Sequence, residues 1–400
     1  MAAGMKTLIK NARLVLTDRI TEPGWLLIED SHIADFGNGH PECAADETLD
    51  AEGGYLTPGL IDMHLHGGDG ADFMDATEAA FTRAAKLHLR HGTTSLLPTT
   101  MSASMEELLE LISCYRRIHS KTEGLPHFLG LHLEGPFLAP AQAGAQDPKY
   151  LYPPVPEYYM PLLEAGSGLI RRVSAAVELP GALGLGDELK QRGIQAAVAH
   201  SDADYDQLLA AIPHGYTHLT HFYSGMSGLH RVGAYRKLGL IESAYLDDRL
   251  TVEIIADGKH LPPELLRLIV KGIGIDRISL ITDAMRGAGL PNGSRVRLGS
   301  ETNGQMTVIE DDVAFMPDHT CFAGSVCTAD RCIRTIVQSA GVPLPDAVRM
   351  MTLNPARLLG IAVRKGSLQP GFDADLCLFS ESLQVQAVFV SGKRIVQEAK

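Results

Sequence analysis

The chain has 400 residues, of which 45% are hydrophobic and 21% charged, and it carries a formal net charge of -13. This composition is typical of a soluble globular protein, and the length predicts two or three domains. The absence of a basic run argues against a nucleic-acid partner. The six cysteines form no Cys-x-x-Cys pair, which indicates reduced thiols that serve mostly in packing.

The N-terminal residues 1–10 lack the apolar core of a signal peptide. No uninterrupted apolar stretch approaches the roughly 20 residues of a membrane helix. We therefore expect a cytoplasmic protein without a membrane partner.

Both ends of the chain show short apolar runs separated by turn residues, a pattern typical of strands. The predicted terminal strands are 8–9, 12–16, 25–28, 33–37, 371–379, 385–390 and 394–396. Strands at both ends imply that the termini meet and that a larger domain is inserted between them. We predict a small β-sandwich domain from residues 1–56 and 357–400, and a catalytic domain from residues 57–356.

The middle of the chain alternates predicted strands with helical patterns, such as 77–91 and 103–119. The predicted strands are 59–66, 93–99, 127–134, 172–178, 194–200, 216–223, 250–257 and 278–283. Eight alternating units favour a (β/α)8 TIM-like barrel. A doubly wound open sheet is the alternative, but no Gly-x-Gly-x-x-Gly follows the first strand to support it.

The first of these strands ends in His64 and His66. Residues two apart in a strand point to the same side, so both imidazoles can face one point. Two neutral imidazoles suit a divalent transition metal. The alternative interpretation is a pair of ordinary polar residues at a strand end.

Other predicted strands also end in ionisable residues, and a barrel enzyme builds its site from these ends. The residues at these ends are Glu134, His200, His221, His260 and Asp283. Glu134 carries a further argument, because a carboxylate at the end of an apolar strand is costly without a cation.

Neighbouring polar residues have structural interpretations instead. We interpret His132 as a core or supporting histidine and Asp62 as a structural hydrogen-bonding group. His218 lies an odd number of residues from His221, so we predict that it packs between strand and helix. The role of Asp257 is left open.

This set of residues favours hydrolysis by metal-activated water over nucleophilic catalysis. No Gly-x-Ser-x-Gly elbow is present, and no cysteine lies at a strand end with a histidine base. A divalent metal lowers the pKa of bound water towards roughly 7. Asp283, alone at the last strand end, is the candidate to accept the proton and return it to a leaving amine.

A set of motifs over nearly the whole chain resembles the N-acetylglucosamine-6-phosphate deacetylase family of the amidohydrolase superfamily. The motifs are Pro-Gly-Leu-Ile-Asp-Met-His-Leu-His at 58–66, His-Leu-Glu-Gly-Pro-Phe at 132–137, and the segments 215–221, 255–260, 281–284, 323–325 and 351–356. The resemblance implies a metal-dependent barrel with a split β-sandwich that hydrolyses the acetamide of an amino sugar phosphate.

By position, the resemblance implies that Glu134, His200 and His221 hold the principal metal. His64 and His66 match a second metal position, with Glu134 bridging. Relatives that bridge their metals with a carboxylated lysine are disfavoured, because no lysine occurs between Lys149 and Lys190. We expect one or two divalent ions per subunit, zinc in the first place, with iron, manganese or cobalt as alternatives.

The resemblance also implies that Asp283 is the general base and acid and that His260 contacts the substrate. Several positions that bind sugar and phosphate in the family differ here: Gln146 replaces a histidine, and Ser224 and Gly225 replace asparagine and alanine. The predicted substrate contacts are therefore His260, Ala145, Gln146, Ser224, Gly225 and Arg231. Reaction type is consequently a firmer expectation than substrate identity.

The leading hypothesis is a deacetylase of N-acetylglucosamine 6-phosphate. The alternatives are a sister amidohydrolase acting on another amide or cyclic amide, and a catalytically silent sugar-phosphate sensor. The resemblance further suggests a homodimer in which Arg231 contacts phosphate, either in its own subunit or across the interface.

Overall fold

The computed structural model describes residues 4–39, 41, 44–121 and 123–395. Cys43 and the last residue of the predicted strand 394–396 lie outside these residues. Within the described ranges, the α-helices are Glu78–Arg90, Met105–Ile118, Pro156–Ala165, Ala182–Gln191, Tyr205–Ala211, Leu240–Leu246, Pro263–Ile273, Ala329–Gln338, Leu344–Met350 and Leu353–Leu358. None of these helices combines the length and the apolarity that crossing a membrane requires.

Each predicted strand of the middle segment overlaps a strand of the structure. The bounds are Leu60–Leu65, Thr93–Pro98, His127–Phe128 with Leu131–Glu134, Ile170–Ala175, Gln195–Val198, His218–Leu219, Thr251–Ile255 and Ile278–Ile281. Most residues in these strands are buried, as expected for parallel strands covered by helices on their outer face. The sixth is much shorter than the predicted 216–223.

The parallel strands pair in two curled sheets rather than in one continuous ring. Among the described residues, one sheet has six strands and runs from Leu131–Glu134 to Ile278–Ile281, and the other has three and includes Leu60–Leu65. Gly130, with a φ of 136°, interrupts the third predicted strand between the sheets. The structure thus shows a curled parallel sheet with an interrupted ladder, and the predicted closed (β/α)8 barrel stays a prediction.

The ends of the first and last parallel strands nevertheless lie side by side. The backbone N–H of Asp283 donates to His64 O at 2.9 Å, and that of His66 donates to Ala284 O at 2.7 Å. These bonds carry the two histidines of the first strand to the edge where the eighth strand ends.

Strands from both ends of the chain share one mixed sheet. Leu376–Phe379 pairs antiparallel with Tyr55–Pro58, which lies beside Lys6–Leu14. The remaining strands of this sheet are Gly24–Glu29, His32–Asn38, Glu47–Asp50, Val385–Val390 and Lys393–Ile395. The predicted strand 8–9 and the first part of predicted 12–16 fall within one strand, Lys6–Leu14, and only the end of predicted 371–379 is a strand. Ile9, Leu26 and Phe389 belong to the separate buried apolar cluster of this sheet.

Local sequence explains where the helices begin. Ser104 caps the helix Met105–Ile118. Its hydroxyl accepts a hydrogen bond from Glu107 N, and the Glu107 carboxylate accepts one from Ser104 N. Leu108, Leu111 and Ile112 then form the buried stripe of that helix.

Two long segments follow strands and reach over the edge where the strands end. The segment after the third strand contains the short 3-10 helices Pro140–Gln142 and Pro148–Tyr150. The segment after the eighth contains the antiparallel strands Arg295–Leu298, Gln305–Glu310 and Val313–Phe315. The remaining strands are the hairpins His230–Val232 with Tyr235–Lys237 and Gly67–Gly68 with Ala71–Asp72.

Candidate active site

The carboxyl ends of the parallel strands bring the predicted metal ligands together. Glu134 is at the centre: its Oε1 lies 2.9 Å from His221 Nε2, 3.3 Å from His64 Nε2 and 3.6 Å from His200 Nε2. Its Oε2 lies 3.5 Å from His66 Nε2. Residues separated by up to 157 positions, from 64 to 221, therefore converge on one carboxylate.

Two groups of these side chains have donor atoms close enough to hold an ion. His64, Glu134 and His221 form one group, and His64, His66 and Asp283 form the other, with all donor atoms of a group within 4.8 Å of one another. His64 belongs to both groups, which places it between two candidate metal positions.

Backbone carbonyls orient the histidines that come from the fifth and sixth strands. His200 Nδ1 lies 2.7 Å from Gln142 O, and His221 Nδ1 lies 3.0 Å from Ser224 O. A carbonyl only accepts, so each Nδ1 carries a hydrogen, and Nε2 is the ligand atom of each ring when the imidazole is neutral. Neutral imidazoles in this tautomer are suitable metal ligands.

The backbone at three candidate ligands is in the left-handed region. The φ angles are 44° at His200, 24° at His221 and 49° at Asp283. Non-glycine residues in such conformations concentrate at functional sites, where the surrounding structure maintains the strain. These turns aim side chains inward immediately after the strands end.

Burial opposes ionisation of Glu134, but the surrounding histidines outweigh it and hold the pKa of Glu134 well below its usual range. Burial likewise opposes ionisation of Asp283, yet contact with His66 lowers its pKa below the ordinary value. Asp283 Oδ1 lies 3.1 Å from His66 Nε2 and 3.6 Å from His64 Nε2. Two buried carboxylates among imidazoles form a donor set suited to a divalent cation.

The fit to a metal is also visible in the donors left without partners. Among the residues that the structure describes, His64 Nε2 is buried and has no hydrogen-bond partner. Buried polar atoms are normally paired, and an unpaired one calls for a ligand or ion. Because His64 belongs to both candidate groups, this unpaired atom supports a metal there.

A cavity of about 410 Å³ opens above these side chains. The predicted substrate contacts that line it are Ala145, Gln146, Ser224, Gly225 and His260. Arg231 lies on the exposed hairpin His230–Lys237 and is not among the lining residues. The lining residues that the structure describes include no lysine or arginine.

The remaining residues of the cavity wall were not predicted individually from the sequence. It consists of Met101, Gly144, Leu298, Phe315, His319, Thr320, Cys321, Phe322 and Gly324. Most of these residues belong to the antiparallel segment after the eighth strand. The length of that segment was the available signal, since long loops at strand ends carry substrate contacts.

His260 is held at the cavity wall by Asp257, whose role was left open. Asp257 Oδ2 lies 2.9 Å from His260 Nδ1, and its Oδ1 accepts from the backbone N–H of Lys259 and His260. The ring of His260 also packs against Phe322, with centroids 4.7 Å apart. Asp257 therefore orients His260 for contact with a ligand.

The interpretation of His218 was wrong. Its ring faces inward, with Nε2 at 3.3 Å from Glu253 Oε1 and Nδ1 at 2.6 Å from Thr251 Oγ1. The strand ends at Leu219, so strand alternation does not extend to His221 and both histidines point inward. His132 is a core histidine 2.7 Å from Ser174 Oγ, and Asp62 Oδ2 accepts from Thr282 Oγ1 at 2.5 Å, both as predicted.

Comparison with known proteins accords with this geometry. Residues 55–395 match the profile of the amidohydrolase family. The chain belongs to the amidohydrolase family. The predicted metal-dependent hydrolase is confirmed at this level.

Curated relatives match this amidohydrolase over nearly its full length. N-acetylglucosamine-6-phosphate deacetylase of Bacillus subtilis (strain 168) is 32% identical over 96% of each chain. N-acetylgalactosamine-6-phosphate deacetylase of Escherichia coli O157:H7 is 33% identical over 94% of this chain and 96% of its own.

A solved structure is similarly close. A variant of N-acetyl-D-glucosamine-6-phosphate deacetylase from Mycobacterium smegmatis, in complex with N-acetyl-D-glucosamine-6-phosphate, has a TM-score of 0.89 and 34% identity. The alignment covers 99% of this amidohydrolase and 100% of that chain. The predicted resemblance to the deacetylase family is thereby confirmed.

Proposed function

We propose that this amidohydrolase removes the acetyl group from N-acetylglucosamine 6-phosphate, releasing acetate and glucosamine 6-phosphate. The observation that carries the proposal is the placement of Asp283 Oδ1 3.1 Å from His66 Nε2, beside Glu134 and on the cavity floor. Relatives of similar length and fold that bear the corresponding enzyme name support the substrate.

The proposed metal centre has two ion positions, and different residues would bind each ion. Glu134, His200 and His221 would hold the principal ion, and His64 and His66 a second. A divalent ion bound there polarises the acetamide carbonyl and lowers the pKa of water. Zinc is the proposed metal, because imidazole and carboxylate donors suit it.

The chain's own groups supply proton transfer and orientation. Asp283, with a lowered pKa, is ionised near neutral pH and takes a proton from the attacking water. It then delivers the proton to the amine nitrogen as the C–N bond breaks. His260, fixed by Asp257, steadies the substrate from the cavity wall.

Binding of the 6-phosphate requires a cation from outside the described cavity lining. Arg231 faces Arg236 directly across the hairpin. Like charges directly opposite destabilise a hairpin, and an anion between them would relieve the repulsion. Exposed Leu229, Val232 and Tyr235 surround these arginines, so we propose a homodimer in which this hairpin reaches the partner's cavity.

We further propose the closed (β/α)8 barrel for residues 57–356 and the split β-sandwich for residues 1–56 and 357–400. The hydrogen bonds between the ends of the first and eighth strands support barrel closure. Pairing of Leu376–Phe379 with Tyr55–Pro58 supports the division into domains.

N-acetylgalactosamine 6-phosphate is the second candidate substrate, because a relative of equal similarity bears that enzyme's name. Acetate release by purified, metal-analysed protein should be measured on both 6-phosphates and on unphosphorylated N-acetylglucosamine. The proposal expects bound metal and fast release only from a phosphorylated sugar. Bound metal without acetate release from any of the three would contradict it and favour a sensor.

A further inference from the structure

A buried ion pair lies inside the curled sheet, below the candidate metal positions. Arg172 comes from the fourth parallel strand and Glu253 from the seventh, and both have 0% exposure. Arg172 Nη1 donates to Glu253 Oε1. Neither residue lines the cavity, so the pair does not meet substrate.

Glu253 also contacts a candidate metal ligand. Its Oε2 lies 3.2 Å from His64 Nδ1, whereas His218 Nε2 lies 3.3 Å from Oε1. An ionised carboxylate only accepts, so His64 carries its hydrogen on Nδ1 when this bond forms. The lone pair of His64 is then on Nε2, the atom facing Glu134 and Asp283.

A purely stabilising role explains this pair poorly. Among the described residues, Arg172 Nε and Nη2 are buried without hydrogen-bond partners. A buried ion pair contributes little stability unless its remaining donors are satisfied, and an apolar pair of similar volume is often as stable. The ion pair with Arg172 instead keeps the Glu253 carboxylate ionised and in contact with His64 Nδ1.

We propose that Glu253 is a positioning residue that holds His64 in the metal-binding tautomer, with Arg172 as its balancing charge. The inference rests on the metal centre of the proposed function. It distinguishes the two histidines of the first strand, because His66 Nδ1 has no hydrogen-bond partner within the described part of the chain.

Cobalt(II) titration of the metal-free protein, followed by visible absorption without substrate, tests the proposal. The double variant R172M/E253L removes both charges together and leaves no buried ion unpaired. We expect its cobalt affinity to fall by roughly 10–100-fold, the usual effect of removing an outer hydrogen-bond partner of a ligand. Unchanged affinity would overturn the proposal.

A second buried ion pair provides the matched control. Lys365 and Asp375 pair with each other, make further contacts with Asp373 and His127, and are not among the residues that line the cavity. The double variant K365M/D375L should change thermal stability but leave cobalt affinity at the wild-type value. If this control loses as much cobalt affinity as R172M/E253L, the loss results from general destabilisation and the positioning role of Glu253 is overturned.

A double-mutant cycle with His64 separates positioning from other effects. H64N should itself weaken cobalt binding, and adding R172M/E253L to it should cause no further loss. Additive losses, or an H64N variant with wild-type affinity, would contradict the proposal.

If R172M/E253L fails to fold, ¹⁵N spectra of histidine-labelled, zinc-loaded wild-type protein decide the point. The His64 signal, assigned by its absence in H64N, should show the hydrogen on Nδ1 and zinc on Nε2, and zinc on Nδ1 would overturn the inference. Acetate release is measured separately. If R172M/E253L shows the expected loss of cobalt affinity but the wild-type protein releases no acetate, the proposed substrate is refuted and the proposed role of Glu253 stands.

Discussion

Gln146 donates from its side-chain Nε2 to Glu134 Oε2 at 3.0 Å, and its Oε1 accepts from the backbone N–H of Ser102 at 2.8 Å. Both polar ends of this buried amide are therefore engaged with the protein. The residue predicted as a sugar contact also fixes the orientation of the central carboxylate.

Replacing Gln146 by leucine should therefore weaken metal binding, by roughly 10–100-fold for loss of a hydrogen bond to a ligand. Competition with a chromophoric chelator measures the affinity. Q142L is the matched control, because the Gln142 side chain bonds Asp202 and the contact with His200 uses only the backbone O, which the substitution retains. A Q146L protein with altered KM and unaltered metal affinity would show that only the sugar contact matters.

Asp283→Asn should retain the fold and at least one bound ion but lose acetate release by about 10²–10⁴-fold, the usual contribution of a positioned general base. The amide cannot accept the proton from water at neutral pH. Metal content and turnover should be measured on the same preparation. Activity within a few-fold of wild type would refute the assignment.

The two candidate metal groups can be separated by substitution, because each contains a histidine that the other lacks. H221N removes a donor from the group with Glu134, and H66N removes one from the group with Asp283. We expect H66N to lose the second ion and keep the first, and H221N to lose affinity for the principal ion. Elemental analysis over a range of free zinc would show this. Equal loss of both ions in H66N would argue for one shared site.

Arg231→Ala should raise KM for the phosphorylated sugar without a comparable loss of kcat, because the clamp on the phosphate is removed. Lys237, on the same hairpin, is engaged with Asp204 and Asp206, so K237A is the control and should leave KM unchanged. Mixing R231A with D283N subunits should restore activity if Arg231 acts across a dimer. No recovery in proven heterodimers would place Arg231 in its own subunit.

We predict that acid destabilises the folded protein through His88, which is buried near the first strand. Burial lowers its pKa from 6.5 to about 4, although the bond to Gly67 O at 2.9 Å opposes the shift. The unfolded chain binds a proton more readily than the folded one. Neutral His88 therefore contributes about 3 kcal/mol to the free energy of unfolding above about pH 6.5, and this contribution is lost as the pH falls towards 4.

Denaturant unfolding at several pH values between 7 and 4 tests this expectation. H88Q should unfold with a smaller dependence on pH in that window, since glutamine has no proton to gain. Identical pH slopes for the two proteins would show that His88 does not account for the acid sensitivity.

Local sequence signals predicted the approximate positions of the strands and helices and identified the candidate metal ligands. Apolar runs that end in Glu134, His200 or Asp283 can be recognised one at a time, because a charged or imidazole side chain interrupts a buried pattern. Parallel strands then bring their carboxyl ends to one edge, so the convergence follows from topology alone. The principal ligand set remains a prediction that metal analysis must test.

Tertiary structure alone decided which polar groups support that set. Glu253 lies in the middle of an apolar strand, and nothing near it in sequence names Arg172 or His64 as its partner. The relative register of strands sets that contact. Because the strand ends at Leu219, His218 and His221 both point inward although they lie three residues apart. The cavity wall after residue 285 likewise depends on how an antiparallel segment folds back over the strand ends. These contacts join residues far apart in the chain, and no local periodicity encodes the distances between them.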